Sequence, residues 1–196
     1  MQTRLQVERL EDRCLLSTVE LLGSTLYIQG DADDDAITVA DHGDRVCVKT
    51  NNGPRVCLNE EDISYIVVYA DSGNDRVVLK TDIPAFVDGG DSNDRIVGGR
   101  GNDYLVGGNG DDIIRGGRGH DYVIGDNGGD RLFGDGGHDY LYGGQGADLL
   151  SGGRGDDYLV DYTTPNRIDG GPGYDLFVGS LDINNVVRRI EELYAV

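Results

Sequence analysis

From Gly89 to Val178 the chain divides into ten consecutive nonapeptides without an insertion or deletion, so each repeat must take nearly the same backbone as the one before it. GGRGNDYLV from Gly98, GGNGDDIIR from Gly107 and GGRGHDYVI from Gly116 show the pattern. The sixth position reads Asp94, Asp103, Asp112, Asp121, Asp130, Asp139, Asp148, Asp157, Asn166 and Asp175. The eighth position is apolar in every repeat: Ile96, Leu105, Ile114, Val123, Leu132, Leu141, Leu150, Leu159, Ile168 and Phe177. Of the 32 glycines in the chain, 26 fall inside this block, which rules out a chance arrangement and a flexible acidic linker, neither of which would keep register.

Six residues of turn followed by three of strand let one apolar side chain per repeat point inward, and stacking those side chains makes a narrow continuous core. Glycines allow left-handed turn conformations and leave carbonyl oxygens accessible, while the Asp that closes each turn adds a carboxylate. Together these form an all-oxygen donor set suited to Ca²⁺. One turn supplies too few oxygens for the usual six to eight ligands, so a second turn must stack on it. The seventh position shows which turns stack, because Tyr104, Tyr122, Tyr140 and Tyr158 recur every second repeat and alternate with Arg95, Ile113, Arg131, Leu149 and Arg167. Two nonapeptides therefore make one 18-residue coil, with Asp94, Asp112, Asp130, Asp148 and Asn166 in one row. Asp103, Asp121, Asp139, Asp157 and Asp175 form the other row. Candidate metal ligands are the nine aspartates of these rows and backbone carbonyls of the turns, for example those of Gly98, Gly107, Gly116, Gly143 and Gly152. Ten turns give up to about eight same-side sites.

Composition agrees with this reading. There are 3 Phe, 1 Met and no Trp, too few large side chains for an ordinary core. A formal charge of -19 makes DNA, RNA and anionic membranes repulsive partners and cations attractive ones.

The block resembles the RTX, or hemolysin-type, calcium-binding repeats, whose pattern is GGxGxDxUx. That resemblance implies an all-β, right-handed parallel β-roll, calcium held between same-side turns, disorder before calcium is met, and bacterial secretion to the extracellular medium or cell surface. Some repeats depart from the pattern. Ser92 replaces a turn glycine, and Asp126 and Asp135 replace second-position glycines. DYTTPNRID, residues 161–169, has no glycine and carries Asn166 in place of the key Asp, so the Asp148–Asn166 site is expected to be weak or empty.

Outside the block, residues 1–17 lack the apolar run of about 7–15 residues that a secretory signal needs, so export is expected to use another route. This segment is a sorting-like or disordered stretch; VERLEDRCLLS resembles a short N-terminal segment of some large bacterial surface proteins, and Cys14 lies in it. Residues 18–88 read as short strands with turn signals, a β-hairpin or β-stack cap to residues 89–178 or else a separate recognition domain. Within them GDADDDAIT from Gly30 and ADSGNDRVV from Ala70 resemble decayed repeats. Cys47 and Cys57 would face each other across a hairpin with a three-residue loop, either as a disulfide or as two thiols. Residues 179–196 are a short C-terminal cap or an export-signal-like tail; Ile183, Val186, Val187, Ile190 and Leu193 follow helical spacing, with Asp182 or Asn184 as an N-cap.

No HExxH, GxSxG or GxxxxGK[ST] motif occurs, and no stretch approaches the roughly 20 apolar residues that span a bilayer. The expectation is a non-enzymatic, calcium-binding structural module. The alternatives are an adhesin or glycan-binding module using the Tyr face and, behind it, a polysaccharide-modifying enzyme; any surface glycan or protein partner is unknown. His120 and His138 stand at the fifth position of same-side turns, either as exposed loop residues or as a transition-metal pair.

Overall fold

The structure is a computed structural model that describes residues 18–51, 53–163, 166–180 and 186–195. The N-terminal segment with Cys14, the middle of the glycine-free turn at 164–165, and Ile183 with the candidate caps Asp182 and Asn184 lie outside the described residues.

The first half contains β1 (Thr18–Leu22), β2 (Thr25–Gln29), β3 (Ala36–Asp41), β4 (Arg45–Lys49), β5 (Val56–Asn59), a 3-10 turn (Glu60–Asp62), β6 (Tyr65–Tyr69), β7 (Arg76–Lys80), β8 (Ala85–Asp91) and β9 (Arg95–Val97). The second half continues with β10 (Tyr104–Asn109), β11 (Ile113–Arg118), β12 (Tyr122–Asn127), β13 (Arg131–Gly136), β14 (Tyr140–Gln145) and β15 (Leu149–Arg154). It ends with β16 (Tyr158–Asp161), β17 (Arg167–Asp169), β18 (Leu176–Gly179), β19 (Val186–Arg188) and β20 (Glu192–Ala195).

Successive strands go to opposite sheets. One sheet runs β1-β2-β6-β8-β10-β12-β14-β16-β18-β20, the other β5-β4-β3-β7-β9-β11-β13-β15-β17-β19. Pairing is parallel throughout the repeats at the expected offset, Tyr104 against Tyr122 and Ile114 against Leu132. The protein is thus an all-β parallel β-roll of 18-residue coils. Antiparallel strands occur at one end only among the described residues, where β1 pairs β2 and β4 lies between β3 and β5. Cys47 and Cys57 are in register there and form a disulfide. The connection between their strands spans residues 50–55 rather than three residues, because pairing stops at Val48 and Val56.

In two respects the structure differs from the sequence reading. The strands of the regular repeats last six residues, as in Tyr104–Asn109, not three, because the leading glycines pair too: Gly108 is opposite Gly90 on one side and Asp126 on the other. The segments expected to be decayed repeats, from Gly30 and Ala70, do continue the roll, β3 pairing β7 in parallel. The described C-terminal residues, 186–195, are not helical: β19 adds to β17, and β20 adds to β18 with Leu193 opposite Phe177. Apolar spacing at three and four residues is too weak a signal, over so short a span, to outweigh a sheet edge offering unpaired N–H and C=O groups.

Inside, the eighth-position side chains from Ile96 to Phe177 are fully buried and continue into Leu26, Ile28, Ile37, Val39, Ile66, Val68, Val77 and Val87 as one apolar cluster. Outside, the two sheets differ. In the β2 sheet, Phe86, Tyr104, Tyr122, Tyr140 and Tyr158 stack with ring centroids 5.3–5.8 Å apart. Among the described residues no strand of that sheet contains Lys or Arg, whereas the opposite sheet carries Arg76 beside Arg95, then Arg115, Arg131 and Arg167. The backbone keeps its left-handed turns even where glycine has been replaced, at Ser92 (φ 84°), Asp126 (φ 76°) and Asp135 (φ 71°).

Candidate metal centre

The sixth-position residue ends each turn, immediately before the strand begins, as Asp103 precedes Tyr104–Asn109. All ten sixth-position residues are at most 3% exposed. Their two side-chain oxygens have separate surroundings. Each Oδ1 accepts the backbone N–H of a residue one coil earlier, at 2.7–2.9 Å: Asp112 from Asp94, Asp130 from Asp112 and Asp148 from Asp130 in one row. In the other row Asp121 accepts from Asp103, Asp139 from Asp121, Asp157 from Asp139 and Asp175 from Asp157. Asp94 accepts from Asp75, Asp103 from Ala85, and the amide oxygen of Asn166 from Asp148.

Each Oδ2 is different. Those of Asp94, Asp112, Asp121, Asp130, Asp139, Asp148, Asp157 and Asp175 are buried without a hydrogen-bond partner. Asp103 is the exception, its Oδ2 accepting the Gly99 N–H at 2.9 Å. A buried carboxylate oxygen without a donor is costly unless a proton or cation meets it. Burial accordingly pushes the carboxyls of Asp112, Asp121, Asp130 and Asp157 up to about 7, against the inter-coil hydrogen bonds, which hold them down. Asp94, Asp103 and Asp139 are raised to about 6 for the same reason.

The oxygen on the other side comes from the first glycine of the next coil. Beside Gly116, the point where a Cβ would stand is met by Asp121 Oδ2 and lies 2.8 Å from the Gly134 carbonyl oxygen. Beside Gly125 it is met by Asp130 Oδ2 and lies 2.6 Å from the Gly143 carbonyl. Any larger residue would fill this cradle. Gly107, Gly116, Gly143 and Gly152 present their carbonyls in this way beside Asp94, Asp103, Asp130 and Asp139, and the Gly98 carbonyl lies by Gly117. Among the described residues no three His, Cys, Asp or Glu side chains gather as a metal cluster, so main-chain oxygens are essential to any site here. Hard, uncharged carbonyls with a single carboxylate per turn fit a calcium ion.

The structure also brings in residues outside the candidate set. Asp75 has a buried, unpartnered Oδ2, is raised by burial to about 7, and accepts the Asp35 N–H at its Oδ1. It is the sixth residue of the segment from Ala70, so the pattern could have revealed it. Glu191 accepts the Asp175 N–H at 2.7 Å and continues the other row, with no signal in its local sequence. Asp161, fully buried, joins Asp148.

His120 and His138 stack at 5.1 Å on the surface. Nδ1 of His120 accepts the His138 N–H and Nδ1 of His138 accepts the Asp156 N–H, both at 2.8 Å. Nδ1 of each ring is thus engaged by the backbone of the following coil.

No curated protein and no solved structure matches the chain significantly. The family profile described as RTX calcium-binding nonapeptide repeat (4 copies) matches residues 88–123 and again residues 124–159. With the period, the coil and the carboxylate rows in agreement, residues 88–159 are RTX calcium-binding nonapeptide repeats wound into a β-roll.

Proposed function

We propose that the chain is a secreted or cell-surface structural module that becomes ordered on meeting extracellular calcium, with up to about eight ions held between same-side turns. Asp94, Asp112, Asp130 and Asp148 on one side and Asp103, Asp121, Asp139, Asp157 and Asp175 on the other supply carboxylate ligands, and the first-position glycines supply carbonyls. The antiparallel strands β1, β4 and β5 serve as one end cap and residues 179–196 as the other. The observation that carries this reading is the set of buried Oδ2 atoms that face glycine carbonyls and have no donor. Bound calcium supplies the positive charge and the six to eight oxygen contacts that such a cavity lacks. The Cys47–Cys57 disulfide supports an oxidising compartment, and no helix among the described residues is long and apolar enough to cross a membrane.

An adhesive or glycan-binding use of the Tyr face would have to work through ring edges and hydroxyls, because Tyr104, Tyr122, Tyr140 and Tyr158 cover one another's faces. No catalytic activity is proposed.

Calcium titration of the full chain, followed by circular dichroism, tests the proposal. In chelator the repeats are expected to show little β-sheet signal, since stacked carboxylates repel and the core is one apolar side chain deep per strand. Calcium should restore the signal with a midpoint in the extracellular range of about 10⁻⁴ to 10⁻³ M. Identical spectra with chelator and with calcium would defeat the idea.

A further inference from the structure

Asp161 opens the glycine-free repeat, at the position where the preceding repeats have glycine. That position faces the interior, so any side chain placed there must point inward, and Asp161 is fully buried. Its Oδ1 accepts both the N–H and the hydroxyl of Thr163, each at 3.0 Å. Its Oδ2 receives no N–H or hydroxyl donor and lies within hydrogen-bonding reach of the Asp148 carboxyl, so that a shared proton is the alternative to a cation there. It is aimed at Gly143, where the Oδ2 of Asp148 also arrives, 2.7 Å from the point a Cβ would occupy.

In the regular coils that point is met by one Asp Oδ2 and one glycine carbonyl from the next coil, as at Gly107, Gly125 and Gly152. At Gly143 the carbonyl is missing from this place because the Asp161 peptide faces the other way, its oxygen accepting the Ser180 N–H at 3.1 Å. The carboxylate stands where the carbonyl would be. Asn166 shows what the coil has lost. Its Oδ1 keeps the bond to the Asp148 N–H at 2.8 Å, but its second side-chain atom is an amide nitrogen, which donates to the Thr163 carbonyl and cannot ligate a cation. One ligand oxygen has gone from the sixth position and one has appeared at the first.

We infer that Asp161 and Asp148 together hold a calcium ion between their two coils, so that the site beside Asn166 is a rebuilt one instead of an empty one. Two facing carboxylate oxygens buried without a donor call for such a cation more strongly than any single-carboxylate turn in the roll. The inference rests on the calcium reading above and adds the ligand that the repeat pattern does not contain.

Calcium stoichiometry by native mass spectrometry on the full chain tests it, in wild type, Asp161→Asn, and the double variant Asp161→Gly with Asn166→Asp, which returns both positions to the repeat pattern. Asp161→Asn should bind one ion fewer than wild type, and the double variant should regain it. If Asp161→Asn binds as many ions as wild type with an unchanged titration midpoint, the two carboxylates share only a proton and the inference is wrong. Loss of the ion without recovery in the double variant also overturns it, since it would mark a general disruption of the coil. A wild type that binds no calcium would instead sink the calcium reading itself.

Discussion

At the scale of one residue, the sixth-position aspartate does two things with its two oxygens. Oδ1 accepts a backbone N–H of the preceding coil, and Oδ2 makes the interior dependent on a positive partner. A proton can serve as that partner. Burial raises Asp112, Asp121, Asp130 and Asp157 from 3.8 to about 7, so their folded values lie above their unfolded ones. The resulting contribution to stability is complete below the unfolded value and is lost as pH rises through about 6 to 7. In chelator, β-sheet signal is therefore expected to increase as pH falls from about 8 to about 5, while the calcium needed at fixed pH increases over the same window. A chelated protein whose spectrum stays flat across that range would contradict it.

The sequence made these aspartates legible because their neighbours sit at a constant offset, and period alone identifies them. It did not reveal that the interior, not the turn surface, holds their carboxylates. Asp161 was illegible for a definite reason: it lies in the one repeat whose pattern had failed, and its meaning depends on a glycine 18 residues away and a reversed peptide. Pattern matching scores such a residue as a loss, while packing shows it as a replacement.

At the scale of elements, strand length and tail structure escaped the sequence because both are decided by pairing between coils. Three residues of β-branched or aromatic character announce a strand, yet the ladder runs on through Gly108 because its backbone has partners on both sides. Helical spacing within the C-terminal segment carries no trace of the open edges of β17 and β18, which make strands of its described residues. The β4–β5 hairpin, in contrast, contributes no sixth-position carboxylate, so its disulfide stabilises the end of the roll independently of calcium. Replacing Cys47 and Cys57 by Ser should cost about 3 kcal/mol of stability in saturating calcium while leaving the ion count unchanged. Thermal unfolding and native mass spectrometry read the two quantities, and a fall in ion count would show that the hairpin and the repeats are not separable.

At the scale of the whole molecule, the two outer faces differ as sharply as the two inner rows agree. The aromatic stack lies on one sheet and the arginines on the other, whereas the carboxylate ladder is the same on both sides. The interior thus repeats every nine residues and the exterior every eighteen. The roll consequently has a parity. Removing Gly107–Ile124 takes out a whole coil and should leave every later residue in its former sheet, with a calcium-induced transition close to that of wild type. Removing only Gly107–Arg115 keeps the inner rows continuous but exchanges the faces from that point on, setting Tyr122 over Arg95 and Arg131 over Tyr104. The shorter deletion should accordingly do more harm, requiring more calcium for the same β-sheet signal, and equal midpoints for the two would mean that the outer ladders contribute nothing. If parity is enforced in this way, such a roll can lengthen or shorten freely by whole coils, while a change of half a coil turns one face into the other.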